Sequence, residues 1–209
     1  MTEELTDEQR EADYLDAGRL DEYRLGKIGF VPDVVYDIGA DVGSVSLFAH
    51  RLWPDAKIIA VEPNPWSFPR LAKNAATAGD GKIIAVNAAL GTGPMYGPVE
   101  SASPLNWFAV SGESPLWSPL LLPLAVPSVT LGDLRAEHGG ERYVVKIDIE
   151  GGEYDAMMDT ASRAAIFDSW YFAAELHYWG ATHDKMRAVM TGINRFLFQL
   201  DESSQFYSR

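Results

Sequence analysis

Val35-Tyr36-Asp37-Ile38-Gly39-Ala40-Asp41-Val42-Gly43-Ser44 decides the fold of this chain. The residues that lead into it, 31–38, are apolar and rich in β-branched side chains, as expected of a strand covered on both faces. Residues 46–52 carry helix-like apolar spacing. The turn between strand and helix needs backbone angles that few residues accept, and Gly39 and Gly43 supply them. Such a turn lies at the carboxyl end of a strand, where doubly wound sheets bind nucleotides.

The turn is not the dinucleotide fingerprint. Its glycines stand at the first and fifth positions rather than the first, third and sixth. Asp37 would repel a pyrophosphate. It suits a cationic or hydroxyl-bearing ligand, such as the amino group and sulfonium of S-adenosylmethionine. A second apolar strand follows and ends at Glu62, with Pro63, Asn64 and Pro65 stopping it. A carboxylate about twenty residues past the glycine turn can accept hydrogen bonds from both ribose hydroxyls. A helix is expected over 66–78. A third strand is expected over 82–90, with Asn87 and Ala88 near the adenine.

Tyr143-Val144-Val145-Lys146-Ile147-Asp148-Ile149-Glu150-Gly151-Gly152-Glu153 reads as another strand and its exit into a helix over 154–165. Period two puts Lys146, Asp148 and Glu150 on one face. Three charges on one face of a buried strand are costly unless paired or used. Either Lys146 neutralises Asp148 or Glu150, or Asp148 faces the ligand crevice. A further apolar strand over 170–177 ends in Glu175 and His177, at the edge where Asp37, Glu62 and Asp148 also belong.

These motifs, with Val129-Thr130-Leu131-Gly132-Asp133-Leu134 between them, resemble in identity and order the FkbM-type methyltransferases, over about residues 30–180. The Lys146-Ile147-Asp148-Ile149-Glu150-Gly151 run is the specific part. The resemblance implies a class I, Rossmann-like α/β fold: a doubly wound, mostly parallel seven-stranded sheet in the order 3-2-1-4-5-7-6. A sixth strand is expected at 195–200, after a helix over 184–193. The last strand is either short, at Ser204–Ser208, or missing. The implied activity is S-adenosylmethionine-dependent O-methylation of a hydroxyl on a sugar, polyketide or other small metabolite. The cofactor would lie against Asp37, Gly39, Ala40, Gly43, Ser44, Glu62, Pro63, Asn64, Asn87 and Ala88. Gly132 departs from the family, which usually has an aspartate there, but Asp133 can still cap the helix.

O-methylation needs a base within reach of the hydroxyl proton. His177 is the first candidate because its ordinary pKa is near neutrality, and Asp148 is the second. A metal-assisted variant would place magnesium on Asp148, Glu175 and His177, similar in placement to catechol-type methyltransferases. Two other readings stay open: a nicotinamide-dependent oxidoreductase, disfavoured by the glycine spacing and Asp37, and a non-catalytic cofactor-binding interaction domain.

The chain has 209 residues, enough for one α/β domain with a sizeable core. We expect an acidic N-terminal helical extension at 1–26 and a single domain at 27–209 carrying an insertion at 91–127. Thr6 and Gln9 look like a capping box in that extension. It either lies across the domain, over the cofactor mouth or against a second subunit, or is solvated. In the insertion, Trp107, Phe108 and Trp117 either wall the substrate pocket, form a dimer contact or belong to a small β-hairpin. The net charge of −13 argues against nucleic-acid binding. The absence of cysteine excludes disulfides and thiolate metal sites. No apolar run is long enough to span a bilayer and no secretory leader opens the sequence, so a cytoplasmic, non-membrane protein is expected. Its partner would be a small hydroxylated molecule, bound by a monomer or a homodimer.

Overall fold

The computed structural model describes residues 21, 23–78, 80–92, 95–98, 110–111, 121–123, 127–150, 152–177 and 204–208. In chain order the elements are β1 (Val34–Ile38), α1 (Ser44–Leu52), β2 (Lys57–Val61), α2 (Phe68–Ala78), β3 (Ile83–Val86), β4 (Ala89–Leu90), β5 (Met95–Pro98) and β6 (Val110–Ser111). They continue with β7 (Leu121–Pro123), β8 (Ser128–Val129), α3 (Leu131–His138), β9 (Tyr143–Ile147), α4 (Glu153–Met158), α5 (Thr160–Asp168), β10 (Tyr171–Glu175) and β11 (Ser204–Ser208).

The main sheet has the order β11-β10-β9-β1-β2-β3. Every neighbouring pair is parallel except β11 against β10. This is the expected doubly wound order, with the closing antiparallel strand at Ser204–Ser208. The expected helix at 184–193, the expected strand at 195–200 and the first twenty residues lie outside the described residues.

Alternation along the strands builds two cores, as a sheet buried on both faces requires. Tyr36, Ile59, Val145 and Phe172 point to one face and pack with Leu131, Leu134, Tyr154, Met157 and Ile166 from α3, α4 and α5. Val35, Ile58, Val144 and Ala173 point to the other and pack with Val45, Ala49, Leu71 and Ala75 from α1 and α2. Tyr23 and Leu25 complete this second core. The segment expected to be an appendage therefore ends inside the domain.

The structure revises two local expectations. The strand expected over 82–90 is two: β3 ends at Val86, and β4 leaves the main sheet to pair in parallel with β8. The helix expected over 154–165 is broken at Asp159, which takes extended angles and accepts a hydrogen bond from the Ser162 amide to start α5. Within the insertion, β6-β5-β7 form a separate antiparallel sheet, while Trp107, Phe108 and Trp117 lie outside the described residues.

Thr130 and Asp133 form a full capping box at the start of α3, each side chain holding the other's backbone N–H. Gly132 has a packing reason. A Cβ there would lie 2.7 Å from the Ala161 Cβ, so glycine lets α3 approach α5 closely. An aspartate at this position would push the two helices apart.

Candidate active site

Strand register places the first pair of charges. Asp37 and Lys146 are direct neighbours across β1 and β9, both pointing to the α1 side of the sheet. Asp37 is fully buried, with Oδ1 3.1 Å from the Lys146 ammonium. Its Oδ2 accepts a 2.6 Å bond from the Ser46 hydroxyl, one turn into α1. Lys146 also donates to the Gly39 carbonyl at 2.8 Å. It thus neutralises Asp37 and ties down the glycine turn. The expectation that Lys146 pairs with Asp148 or Glu150 is corrected. β9 ends at Ile147, so the two acids lie beyond the strand, and Glu150 adopts a left-handed φ of 55°.

The turn itself is set by close packing. Gly39 has φ 75°, and a Cβ on it would lie 1.7 Å from the Asp148 carbonyl oxygen. No side chain fits there. Gly43, at φ 95°, opens α1. The Gly39 and Ala40 amides both bond the Val61 carbonyl at 3.0 Å, which locks the turn to the end of β2.

Glu62 stands at that strand end, 6% exposed. Its two oxygens accept the Asp41 amide at 2.8 Å and the Asn64 amide at 2.7 Å. Burial pushes its carboxyl up to about 7, against the pull of those two amides. Each carboxylate oxygen has a second lone pair for a ligand hydroxyl. Pro63 and Ala88 line a small apolar cleft together with Ile38, Gly39, Val61, Leu90, Ile149 and Gly152. Asn64 caps the following turn by accepting the Trp66 amide at 2.9 Å. Asn87 reaches back to the Glu62 carbonyl at 3.1 Å. Ser44 is buried at the start of α1, and its Oγ has no hydrogen-bond partner among the described residues.

Beyond Gly152 lies a second cluster. Asp148 accepts the Tyr23 hydroxyl at 2.9 Å. His177, just past β10, holds Glu153 through Nδ1 at 2.9 Å, while its Nε2 lies 3.5 Å from Glu150 and 3.7 Å from Glu175. Ligand atoms of Asp148, Glu175 and His177 all lie within 4.8 Å of one another. Burial alone would lower the His177 pKa. The hydrogen bond to Glu153 and the charges of Glu153, Glu150 and Asp148 outweigh it and push the imidazole up to about 9. The sequence argument for His177 as base rests on a pKa near neutrality, whereas its acidic neighbours raise that pKa and favour the protonated ring.

This raised pKa predicts a pH dependence. The unfolded histidine titrates near 6.5, so the stabilisation from its acidic partners is full below that pH. It is lost as pH rises through about 9. The thermal midpoint of the wild-type chain in EDTA should fall between pH 6.5 and 9 more steeply than that of His177→Gln. Parallel profiles would refute the charged-histidine assignment.

Sequence reading passed over Glu153 and Tyr23, and weighed Glu150 only as a partner of Lys146. Glu153 reads as an acid that favours a helix start. Only the fold shows that it is completely buried under His177, 24 residues away.

Fold and site together define a doubly wound α/β protein with a buried acid at the end of its second strand and a carboxylate–histidine cluster near the same sheet edge. Residues 37–200 match the methyltransferase FkbM domain, and the chain belongs to that family. It is an S-adenosylmethionine-dependent methyltransferase. Among solved structures it is similar to a protein described as an rRNA methylase from Clostridium thermocellum. That likeness has 9% identity and a TM-score of 0.51, covers 90% of this chain and 94% of that one, and concerns the fold alone. It is also similar to precorrin-6y C5,15-methyltransferase from Geobacter metallireducens GS-15, with 14% identity, a TM-score of 0.49, and coverage of 100% and 93%. No curated protein matches the sequence. Among the described residues, no helix is long and apolar enough to cross a membrane.

Proposed function

We propose that this chain methylates a hydroxyl of a small metabolite, with the acceptor held between the apolar cleft and the acidic cluster around His177. The observation that carries this reading is their adjacency along the chain: Ile149 and Gly152 line the cleft, and their neighbours Asp148 and Glu153 belong to the cluster around His177. The chain is proposed to act on a small molecule rather than on nucleic acid, as a monomer or homodimer.

The residues present fit the cofactor. Glu62 offers a preset carboxylate to ribose hydroxyls, Pro63, Ala88 and Leu90 offer an apolar surface to the base, and the buried Ser44 hydroxyl offers an unsatisfied group at the start of α1. When bound, S-adenosylmethionine supplies an electrophilic methyl on a positively charged sulfur. Asp148 is the proposed base, because it is a carboxylate at the strand end and His177 already carries its proton. Asp148 would take the acceptor's hydroxyl proton on one oxygen while Tyr23 holds the other. Protonated His177 keeps the four surrounding carboxylates from repelling one another and from scattering their side chains. The cleft's apolar wall keeps water from competing with the acceptor.

A divalent cation is a second reading of the same cluster, favoured by the convergence of Asp148, Glu175 and His177. Glu153 would then orient the imidazole from Nδ1, as outer partners of metal-bound histidines commonly do. The cation would lower the pKa of an acceptor hydroxyl.

The test begins with calorimetric titration by S-adenosylhomocysteine and by NAD. Labelled methyl transfer to panels of hydroxylated and amine-only acceptors follows, with magnesium or with EDTA. Binding of the first ligand only, and transfer to a hydroxyl that Asp148→Asn reduces by about 100-fold or more, is the expected result. Transfer to amines alone would overturn the O-methylation reading. Full activity in EDTA would overturn the cation.

A further inference from the structure

Tyr23 sits in the segment that the sequence assigns to an acidic extension, yet it is 1% exposed and reaches the candidate site. Its hydroxyl donates to Asp148 Oδ2 at 2.9 Å across 125 residues of chain. Its ring faces the Lys146 ammonium, 5.2 Å from the ring centre. Its carbonyl accepts the Tyr171 hydroxyl at 2.8 Å. The backbone around it is fixed as well. Arg24 is left-handed at φ 53°, its amide bonds the Asp21 carbonyl at 2.9 Å, and the Gly26 amide bonds the Asp21 side chain at 2.8 Å. Leu25 is completely buried beside it.

Asp148 is the hinge of one cleft wall. Its carbonyl packs on Gly39, its amide bonds the Ile38 carbonyl at 3.0 Å, and Ile149 and Gly152 after it line the cleft. The side chain of Asp148 is a point where the N-terminal segment hydrogen-bonds this wall.

We propose that Tyr23 is a positioning residue: through its hydrogen bond to Asp148 it holds the wall of the cofactor cleft that Ile149 and Gly152 line and aims the Asp148 carboxylate. The N-terminal segment is thereby part of the binding machinery. This rests on the reading of the cleft as the cofactor site.

The experiment is calorimetric titration of the full chain with S-adenosylhomocysteine, at a temperature well below the unfolding of every variant. Tyr23→Phe keeps the ring in the core and removes only the hydroxyl. It should weaken binding about three- to tenfold. Asp148→Ala should weaken it at least as much, and Tyr23→Phe added to Asp148→Ala should cause no further loss. A merely structural tyrosine would lower the thermal midpoint and leave the affinity of the folded chain unchanged. Wild-type affinity in Tyr23→Phe, alongside lost binding in Glu62→Ala, would overturn this inference and leave the cofactor site standing. Losses that simply add in the double variant would also overturn it. Failure of the folded wild-type chain to bind S-adenosylhomocysteine would overturn the cofactor reading and this inference together.

Discussion

Lys146→Met should destabilise the chain by about 3–5 kcal/mol, the usual cost of leaving a buried charge without its partner. Asp37 is fully buried, and Lys146 is the cation within 3.1 Å of its Oδ1. The Ser46 hydroxyl holds the other oxygen and supplies no charge. Methionine matches the aliphatic stem of lysine, so the loss reports the ammonium rather than a cavity. The same ammonium holds the Gly39 carbonyl at 2.8 Å, so binding of S-adenosylhomocysteine should weaken too. Replacing both partners, Asp37→Leu with Lys146→Met, should recover most of the stability. It should not recover the affinity, because the turn loses its tie in both cases. Urea unfolding checks the first statement and calorimetry the second. A loss under about 1 kcal/mol in Lys146→Met would mean that Asp37 takes up a proton or water instead of relying on the lysine.

Glu62→Ala should reduce affinity for S-adenosylhomocysteine by about two orders of magnitude. The substitution removes the acceptor for ribose hydroxyls. It also frees the Asp41 and Asn64 amides, which Glu62 holds at 2.8 and 2.7 Å, so the glycine turn and the start of α2 lose their common anchor. A pH signature separates the carboxylate from general loosening. With the Glu62 carboxyl pushed up to about 7, its ionised form gains as pH rises through that value. The wild-type affinity should therefore improve between pH 6 and 8, and Glu62→Gln should show a flatter profile. An alanine variant that binds normally would remove Glu62 from the site.

The two motifs that carry the family resemblance meet physically at Lys146. The glycine turn and the Lys-Ile-Asp-Ile-Glu run are over a hundred residues apart in sequence, and register pairs Asp37 with Lys146. Period-two reasoning put Lys146, Asp148 and Glu150 on one face. It holds for Val145, Ile147 and Ile149, which pack on one core, but β9 stops at Ile147 and Glu150 turns left-handed, so it did not find the partner of Lys146. A strand end is a tertiary event: pairing stops where the neighbouring strand stops, and β1 stops at Ile38.

Local chemistry determined much from the sequence alone. Runs of β-branched residues set the parallel strands, while their order in the sheet came from the family resemblance. Glycines at 39 and 43 set the turn, and acids at the strand ends marked the site. These features depend on a residue and its near neighbours, which the sequence displays directly. Only the tertiary structure decided which charge meets which. It buried Glu153 under His177, surrounded that histidine with acids that raise its pKa, and brought Tyr23 to Asp148. Pair distances and burial arise when distant segments pack together. A carboxylate's partner, and hence its charge and its role, is set by those distances and not by its place in the chain.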